Sequence, residues 1–222
     1  MAANIEAYQS IRKDLDSKKV ILVAVSKTRP VGDVQTLYDM GQRDFGENYV
    51  QELVEKQKQL PGDIRWHFIG HLQRNKVKDI ADFVHLIHGV DSQRLLVEIN
   101  KQALKRNRTI PVLLQVHIAR EETKFGLDEN ELGEIMKSLP GLNNVAIKGL
   151  MGMASLTDDR AIIRKEFQYL RSLYDQISLP AEPALRPPLT TLSIGMSNDY
   201  TIAIEEGSNM VRLGSLLFGA RN

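Results

Sequence analysis

The sequence predicts an α/β protein that folds as a single (β/α)8 barrel, because of its alternating segments, their number and its length. Short apolar segments alternate with longer amphipathic ones along nearly all of the 222 residues. Strands that alternate with helices form right-handed βαβ units, which build a parallel sheet covered by helices on both faces. Eight such units are typical of a closed barrel, which usually takes about 250 residues. A doubly wound open sheet shows the same alternation and is the alternative.

Eight segments are predicted to be strands: most are apolar and β-rich, and DFGEN and IRWHFIG are short candidates between them. They are predicted at Val20–Thr28, Asp44–Asn48, Ile64–Gly70, Val84–Asp91, Pro111–Ala119, Val145–Ala154, Thr190–Gly195 and Met210–Gly214. The seven intervals between these strands are predicted to contain helices, because apolar residues recur there at helical spacing.

Capping residues predict where several helices begin, and one further helix is predicted ahead of the first strand. Asn4–Ser17 has helical periodicity and is expected to take the outer-ring place of a helix after the eighth strand. Ser92 is a predicted N-cap, a helix is predicted from Asp128, and Asp158–Ile177 is the longest predicted helix. The Pro-rich connector at 179–190 is interpreted as a surface loop rather than a domain boundary.

The composition excludes several classes of function. The chain has no cysteine, which rules out disulfides, thiolate catalysis and Cys-based zinc sites. Lys and Arg number 29 against 28 Asp and Glu, so the charge does not favour nucleic acid or an anionic membrane as a partner. No apolar run approaches the roughly 20 residues of a membrane span, and the N-terminus lacks the apolar core of a signal peptide. We therefore expect a cytoplasmic protein.

Lys27 stands at the end of the first predicted strand. It shares its side of the strand with Ile21, Val23 and Val25. Barrels carry their reactive groups at the carboxyl ends of strands, and desolvation there favours the neutral amine that attacks a carbonyl. A lysine whose stem merely covers apolar surface is the other interpretation.

Turns rich in Gly and Ser follow the seventh and eighth strands, at SIGMSND and VRLGS. Backbone N–H groups and hydroxyls at a helix start bind anions, and barrels commonly bind phosphate in these two loops. The candidate phosphate ligands are Ser197, Gly214 and Ser215, and Arg212 is expected to point into the barrel mouth. Ordinary helix capping, with Arg212 in a structural ion pair, is the alternative. If the barrel closes, these turns lie beside Lys27, and an amine with a phosphate site suits pyridoxal 5′-phosphate (PLP).

Six motifs carry a resemblance that spans the whole chain. They are AVSKTRP, FGENYVQE, WHFIGHLQRNK, KGLMGMAS, LSIGMSND and MVRLGSLLFGAR. In this order they closely resemble the pyridoxal phosphate homeostasis protein family, which is similar to the N-terminal barrel of bacterial alanine racemases.

The resemblance implies a role for each candidate residue. Lys27 would form the internal aldimine with PLP, and Arg212 would face the pyridine nitrogen. Two further residues, Asn48 and Met196, would form part of the cofactor wall. The phosphate would be held by Ser197, Gly214 and Ser215. Residues 1–222 would then form a single PLP-binding barrel domain.

The same resemblance predicts weak catalysis. A permanent guanidinium charge beside the pyridine nitrogen disfavours ring protonation, which leaves the ring a poor electron sink. Racemases of this kind take a tyrosine base from a C-terminal β-domain, which we expect this chain to lack. We therefore expect a PLP carrier or buffer in vitamin B6 and amino-acid homeostasis. It is expected to be a monomer with PLP-dependent enzymes as recipients and without nucleic-acid or membrane partners.

Two other functions stay open from the residues alone. The first is a small PLP-dependent racemase or lyase that uses Lys27 as its base. The second is a phosphate-binding barrel without an aldehyde ligand, in which Lys27 only pairs with an anion. A metal site is not expected, because His67 and His71 lie at a strand end rather than on one helix face. We expect His67 to be packed or hydrogen-bonded, and Ala119–Leu127 to be an exposed turn, with a lid as the alternative.

Overall fold

The computed structural model describes residues 3–121, 125–178 and 189–219. Its parallel strands close into a barrel in chain order, and the last strand pairs with the first. The strands are β1 (Ile21–Val25), β2 (Asp44–Glu47), β3 (Arg65–Phe68), β4 (Leu86–Val90), β5 (Ile110–Gln115), β6 (Val145–Met151), β7 (Thr191–Ser193) and β8 (Met210–Leu213). The prediction of a closed (β/α)8 barrel is therefore confirmed, and the open sheet is excluded.

Helices surround the barrel. They are α1 (Ile5–Ser17), α2 (Val31–Asp39), α3 (Val50–Gln59), α4 (Val77–Ile80), α5 (Gln93–Leu104), α6 (Glu129–Ser138), α7 (Arg160–Ser178), α8 (Tyr200–Glu205) and α9 (Ser215–Phe218). The predicted N-cap Ser92 is confirmed, since its hydroxyl accepts from Leu95 N. Asp128 caps α6 in a reciprocal capping box with Glu131.

Two helices differ from the prediction. The helix between β3 and β4 is one short α turn after a 3₁₀ turn, because only Val77 and Ile80 provide buried apolar anchors there. The short helix α9 follows β8, where none was predicted, and α1 packs beside both α9 and β1. Asn4 N donates to Leu217 O at 2.7 Å. The N-terminal helix thus shares its place in the outer ring with α9.

The barrel interior is partly apolar and partly polar. An apolar cluster inside it contains Val23, Leu86, Leu113, Met151 and Met210. Polar side chains from neighbouring strands fill the remaining interior, whereas barrel interiors are usually dominated by branched apolar residues. The larger apolar core lies outside the barrel, between the strands and the helices.

Most of the predicted Pro-rich loop, residues 179–188, lies outside the described part of the chain. Of the helices within the described ranges, none combines the length and the apolar character needed to cross a bilayer.

Candidate functional site

Closure of the barrel brings the ends of β1 and β8 together. In the β1–β8 register Val23 lies opposite Arg212, and Ala24 lies opposite Leu213. Lys27 follows β1 by two residues and is half-buried. Gly214 follows β8, and a Cβ on it would lie 3.4 Å from the Cβ of Val25. The lysine and the glycine turn are therefore neighbours at the carboxyl end of the barrel, as expected from the sequence.

The turns after β7 and β8 also meet. Gly214 N donates to the hydroxyl of Ser197 at 3.3 Å, which joins two of the predicted phosphate ligands. Ser215 is exposed at the start of α9. Gly195 adopts φ +97° and a Cβ there would lie 2.6 Å from the Cβ of Ala203, so the turn before Ser197 needs glycine.

The predicted cofactor-wall residues lie at the same end. Asn48 follows β2 and is half-buried, and its Oδ1 is buried without a hydrogen-bond partner in the described structure. Gly70 passes so close that a Cβ on it would lie 2.3 Å from the Asn48 carbonyl oxygen. Met196 is 38% exposed, and its N–H donates to Asp199 Oδ1 at 2.6 Å. A buried polar atom left without a partner is the feature expected where a ligand binds.

Arg212 is buried inside the barrel. Its Nη1 donates to the carbonyl oxygen and the hydroxyl of Ser193 at 2.8 and 2.7 Å, and its Nη2 donates to Gly152 O at 3.0 Å. Burial lowers the pKa of Arg212 to about 10, although the charge of Asp199 opposes this shift. The guanidinium therefore stays charged at neutral pH. In the described residues it makes no ion pair within salt-bridge distance, contrary to the alternative that treats it as a structural ion-pair partner.

A buried ion pair beneath the Lys27 loop was missed by the sequence reasoning. Lys56 Nζ donates to Glu47 Oε1 and Glu52 Oε1, each at 2.7 Å, and to Ser26 O at 2.6 Å. The hydroxyl of Ser26 donates to the same oxygen of Glu47. Burial raises the pKa of Glu47, and Lys56 opposes the shift. The sequence did contain a signal for this pair: Lys56 lies on the same buried side of α3 as Val50 and Leu53, where a lysine needs a buried partner.

The Glu52 carboxylate also holds the next residue of the loop. Thr28 N donates to Glu52 Oε1 at 2.6 Å. Thr28 has φ +61°, a conformation that β-branched residues rarely adopt. The residues on either side of Lys27 are thus fixed by α3, which defines where its side chain leaves the backbone.

His67 is not at the mouth. It is buried and hydrogen-bonded, as predicted, and it lines a cavity of about 510 Å³ with residues from the beginnings of the strands. One ring or carboxylate atom each from Asp44, His67 and His85 lie within 4.8 Å of one another. However, Arg65 donates to both oxygens of Asp44, at 2.7 and 2.5 Å, and competes with any cation for that carboxylate. This cluster therefore supports no metal proposal.

His71 lies on the mouth side. Its Nδ1 is 2.8 Å from Asp91 Oδ2, and its ring stacks on Phe125 with centroids 4.0 Å apart. Phe125 is 56% exposed. Residues 122–124 of the predicted Ala119–Leu127 turn lie outside the described residues, so the choice between turn and lid is not tested.

The chain and its fold match one class of domain. The alanine racemase N-terminal domain family matches residues 1–222. An alanine racemase from Bartonella henselae, solved with covalently bound pyridoxal phosphate, has the same fold with a TM-score of 0.74. It is 17% identical, and the match covers 97% of this chain and 59% of that one.

More similar proteins define the family within this class. A pyridoxal phosphate homeostasis protein from Pasteurella multocida is 39% identical over 208 residues, which are 91% of this chain and 87% of the relative. That from Aquifex aeolicus is 41% identical over 201 residues, covering 90% and 86%. PipY of Synechococcus elongatus with PLP bound has a TM-score of 0.87 and 37% identity, covering 96% and 99%. The chain belongs to the pyridoxal phosphate homeostasis protein family.

Proposed function

We propose that this protein binds PLP reversibly through Lys27 and acts as a carrier or buffer in cellular PLP and amino-acid homeostasis. The observation that carries the proposal is the meeting of the β1 and β8 ends. It sets a half-buried amine beside a Gly-Ser turn and a buried guanidinium. PipY, a relative of similar length, has been solved with PLP bound. PLP supplies an aldehyde, which joins an amine with loss of water and is released by hydrolysis.

The residues at the mouth fit this ligand. Lys27 would supply the amine, and the hydroxyl of Ser197 with the Gly214 and Ser215 turn would supply donors for the phosphate. Asn48 Oδ1, which is buried without a partner in the described structure, would gain one from the ligand. Met196 would cover one side of the cofactor and is exposed enough to contact it.

The charge of Arg212 favours binding of PLP over catalysis with it. Three of its five N–H donors bind Ser193 and Gly152, and we propose that the others face the pyridine nitrogen. A charge that persists at neutral pH would keep this nitrogen unprotonated by repulsion. The ring would then stabilise a carbanion poorly, so amino-acid substrates would react slowly. We further propose a cytoplasmic monomer that delivers PLP to PLP-dependent enzymes.

The first experiment is absorbance of the protein after incubation with PLP. We expect the parent to be yellow and Lys27→Ala to be colourless. Lys148→Ala is the matched control, because Lys148 lines the cavity at the opposite end of the barrel. Borohydride reduction followed by peptide mass analysis should leave the permanent adduct on Lys27. A yellow Lys27→Ala protein, or a parent in which Lys27 carries no adduct, would contradict the proposal.

The second experiment separates a carrier from an enzyme. PLP-loaded protein is incubated with amino acids in deuterated water, and exchange of the α-proton is followed by NMR. We expect exchange far slower than ordinary enzyme turnover, which is about 1–10³ per second. Exchange at that rate, lost in Lys27→Ala, would instead support a racemase or lyase with Lys27 as its base.

A further inference from the structure

A row of buried polar side chains crosses the barrel interior from Arg212 to the opposite end. We call it the polar row; its members are Arg212, Ser193, His88, His67 and Asp44, all between 0% and 6% exposed. Arg212 Nη1 donates to Ser193 Oγ at 2.7 Å, and this oxygen lies 3.2 Å from His88 Nδ1. His88 Nε2 lies 2.9 Å from His67 Nδ1, and His67 Nε2 lies 3.0 Å from Asp44 Oδ1. Four hydrogen bonds thus join five strands of the barrel.

The two ends of the polar row fix its direction. A guanidinium can only donate and a carboxylate can only accept. The hydroxyl of Ser193, which accepts from Arg212, is then free to donate to His88 Nδ1. His88 Nε2–H donates to His67 Nδ1, and His67 Nε2–H donates to the Asp44 carboxylate. In this arrangement every link has one donor and one acceptor.

The reverse direction leaves unfavourable contacts. If His67 Nδ1 carried the proton, His88 Nδ1 would have to donate to Ser193, whose hydroxyl proton would lose its described acceptor. A neutral His67 would also turn a bare nitrogen toward Asp44. Such unsatisfied groups are costly inside a protein, where the effective dielectric constant is low.

The polar row also connects two opposite charges. Burial lowers the pKa of His88 well below its usual value, and the neighbouring His67 and Arg212 side chains lower it further, so His88 is neutral. Burial acts to raise the pKa of Asp44, but hydrogen bonds from Arg65 and His67 outweigh it and keep this carboxyl ionised. Aligned hydrogen bonds polarise one another between a cation and an anion. Through these bonds Arg212 is linked to a carboxylate that it does not touch.

We propose that the polar row is a positioning device that orients the Arg212 guanidinium toward the PLP ring and thereby sets how tightly the mouth holds PLP. The inference rests on the proposed function. The positioning residues are Asp44, His67, His88 and Ser193. Side chains at the amino-terminal end of the barrel would thus influence a ligand at the carboxyl end through the direction of the hydrogen bonds.

The first test needs no PLP. Nitrogen NMR of the ¹⁵N-histidine-labelled protein shows which ring nitrogens carry a proton. We expect His67 and His88 both to be protonated on Nε2 and bare on Nδ1 at neutral pH. A proton on Nδ1 of either ring would overturn the proposal, because the row would then not run from Arg212 to Asp44.

The second test measures the dissociation constant for PLP by absorbance titration. His88→Leu interrupts the polar row, and we expect its dissociation constant to rise about tenfold or more, as for loss of a hydrogen bond to a charged group. His88→Gln, which keeps a donor and an acceptor, should recover part of the affinity. His85→Leu is the control, since its ring lies 5.3 Å from that of His67 without a described hydrogen bond to the row. It should stay within about twofold of the parent.

Ser193→Ala provides a second interruption in case His88→Leu fails to fold, which circular dichroism would show. Its affinity should fall like that of His88→Leu. If the parent binds PLP and the folded His88→Leu and Ser193→Ala variants bind it equally well, the positioning role of the polar row is contradicted and the proposed function is not. A parent that binds no PLP would contradict the proposed function, and the role of the row in PLP affinity would be rejected with it.

Discussion

The two ends of the barrel differ in how completely their buried polar atoms are paired. At the amino-terminal end Asp44 pairs with Arg65, and Arg12 pairs with Asp16. At the carboxyl end the charge of Glu47 is paired with Lys56, but Glu47 Oε2 and Asn48 Oδ1 are buried without a hydrogen-bond partner in the described structure. The first arrangement satisfies its charges internally, which suits stability. The second keeps acceptors available at the cost of some stability, which suits ligand binding.

The largest expected effect comes from the ion pair beneath the mouth. Lys56→Met leaves Glu47 buried without its cation, and breaking such a pair costs about 3–5 kcal/mol. The raised pKa of Glu47 would rise further, so the variant should lose stability as pH increases above the unfolded value of about 4.3. Urea unfolding at pH 5 and pH 8 measures both effects. Lys137→Met is the control, since its pair with Glu134 is exposed and contributes less than about 1 kcal/mol.

A smaller effect is expected at the opposite end. Asp44→Asn should reduce the free energy of unfolding at pH 7 by about 1–3 kcal/mol, because it weakens the bonds to Arg65 and His67. The Asp44 pKa is lowered on folding, so this stabilisation exists above the unfolded value of about 3.9 and is lost as pH falls below it. The difference in free energy of unfolding between parent and variant should therefore shrink steadily in urea unfolding as pH falls below about 4. A gap of constant size at all pH values would show that the carboxylate charge is not the cause.

The smallest effect is expected at two residues with left-handed backbone conformation, one near each end of the barrel. Thr28, beside Lys27, and Lys19, just before β1, both have left-handed φ values, of 61° and 56°. Asn tolerates this conformation better, so Thr28→Asn and Lys19→Asn should each raise the free energy of unfolding by about 0.5 kcal/mol. We expect only Thr28→Asn to change PLP affinity, because its turn carries Lys27. Equal PLP affinity in the two variants would show that the turn at Thr28 does not position the amine.

Local patterns were enough to predict the barrel. Most of the eight strands were predicted because buried parallel strands are apolar runs, which a short window reveals, whereas β2 and β3 contain charged residues and were predicted only as short candidates. The prediction ran past the end of β1, into Ser26–Thr28, since Thr is common in strands and no strand-breaking residue precedes Pro30. The chain turns there because two side chains of α3 hold it. Thr28 N donates to Glu52, and Lys56 donates to the carbonyl oxygen of Ser26.

The candidate site was predictable only in part. Lys27, Ser197 and Gly214 lie beside strand ends, where barrel topology itself brings them together. The polar row was not predictable, since Ser193 and His88 are 105 residues apart and nothing local distinguishes them from ordinary core positions. Its pairing depends on the register between strands, which a single sequence does not encode in any short pattern.

The directionality of the polar row has a consequence for how this chain tolerates change. A link such as His88 is useful only while the group on each side presents a matching donor or acceptor. Substitutions at two of these positions are therefore expected to combine non-additively, and the second should cost less than the first. Natural variants that lose one histidine are expected to replace the other as well. The remaining histidine would no longer connect Asp44 to Arg212 and could not orient the guanidinium.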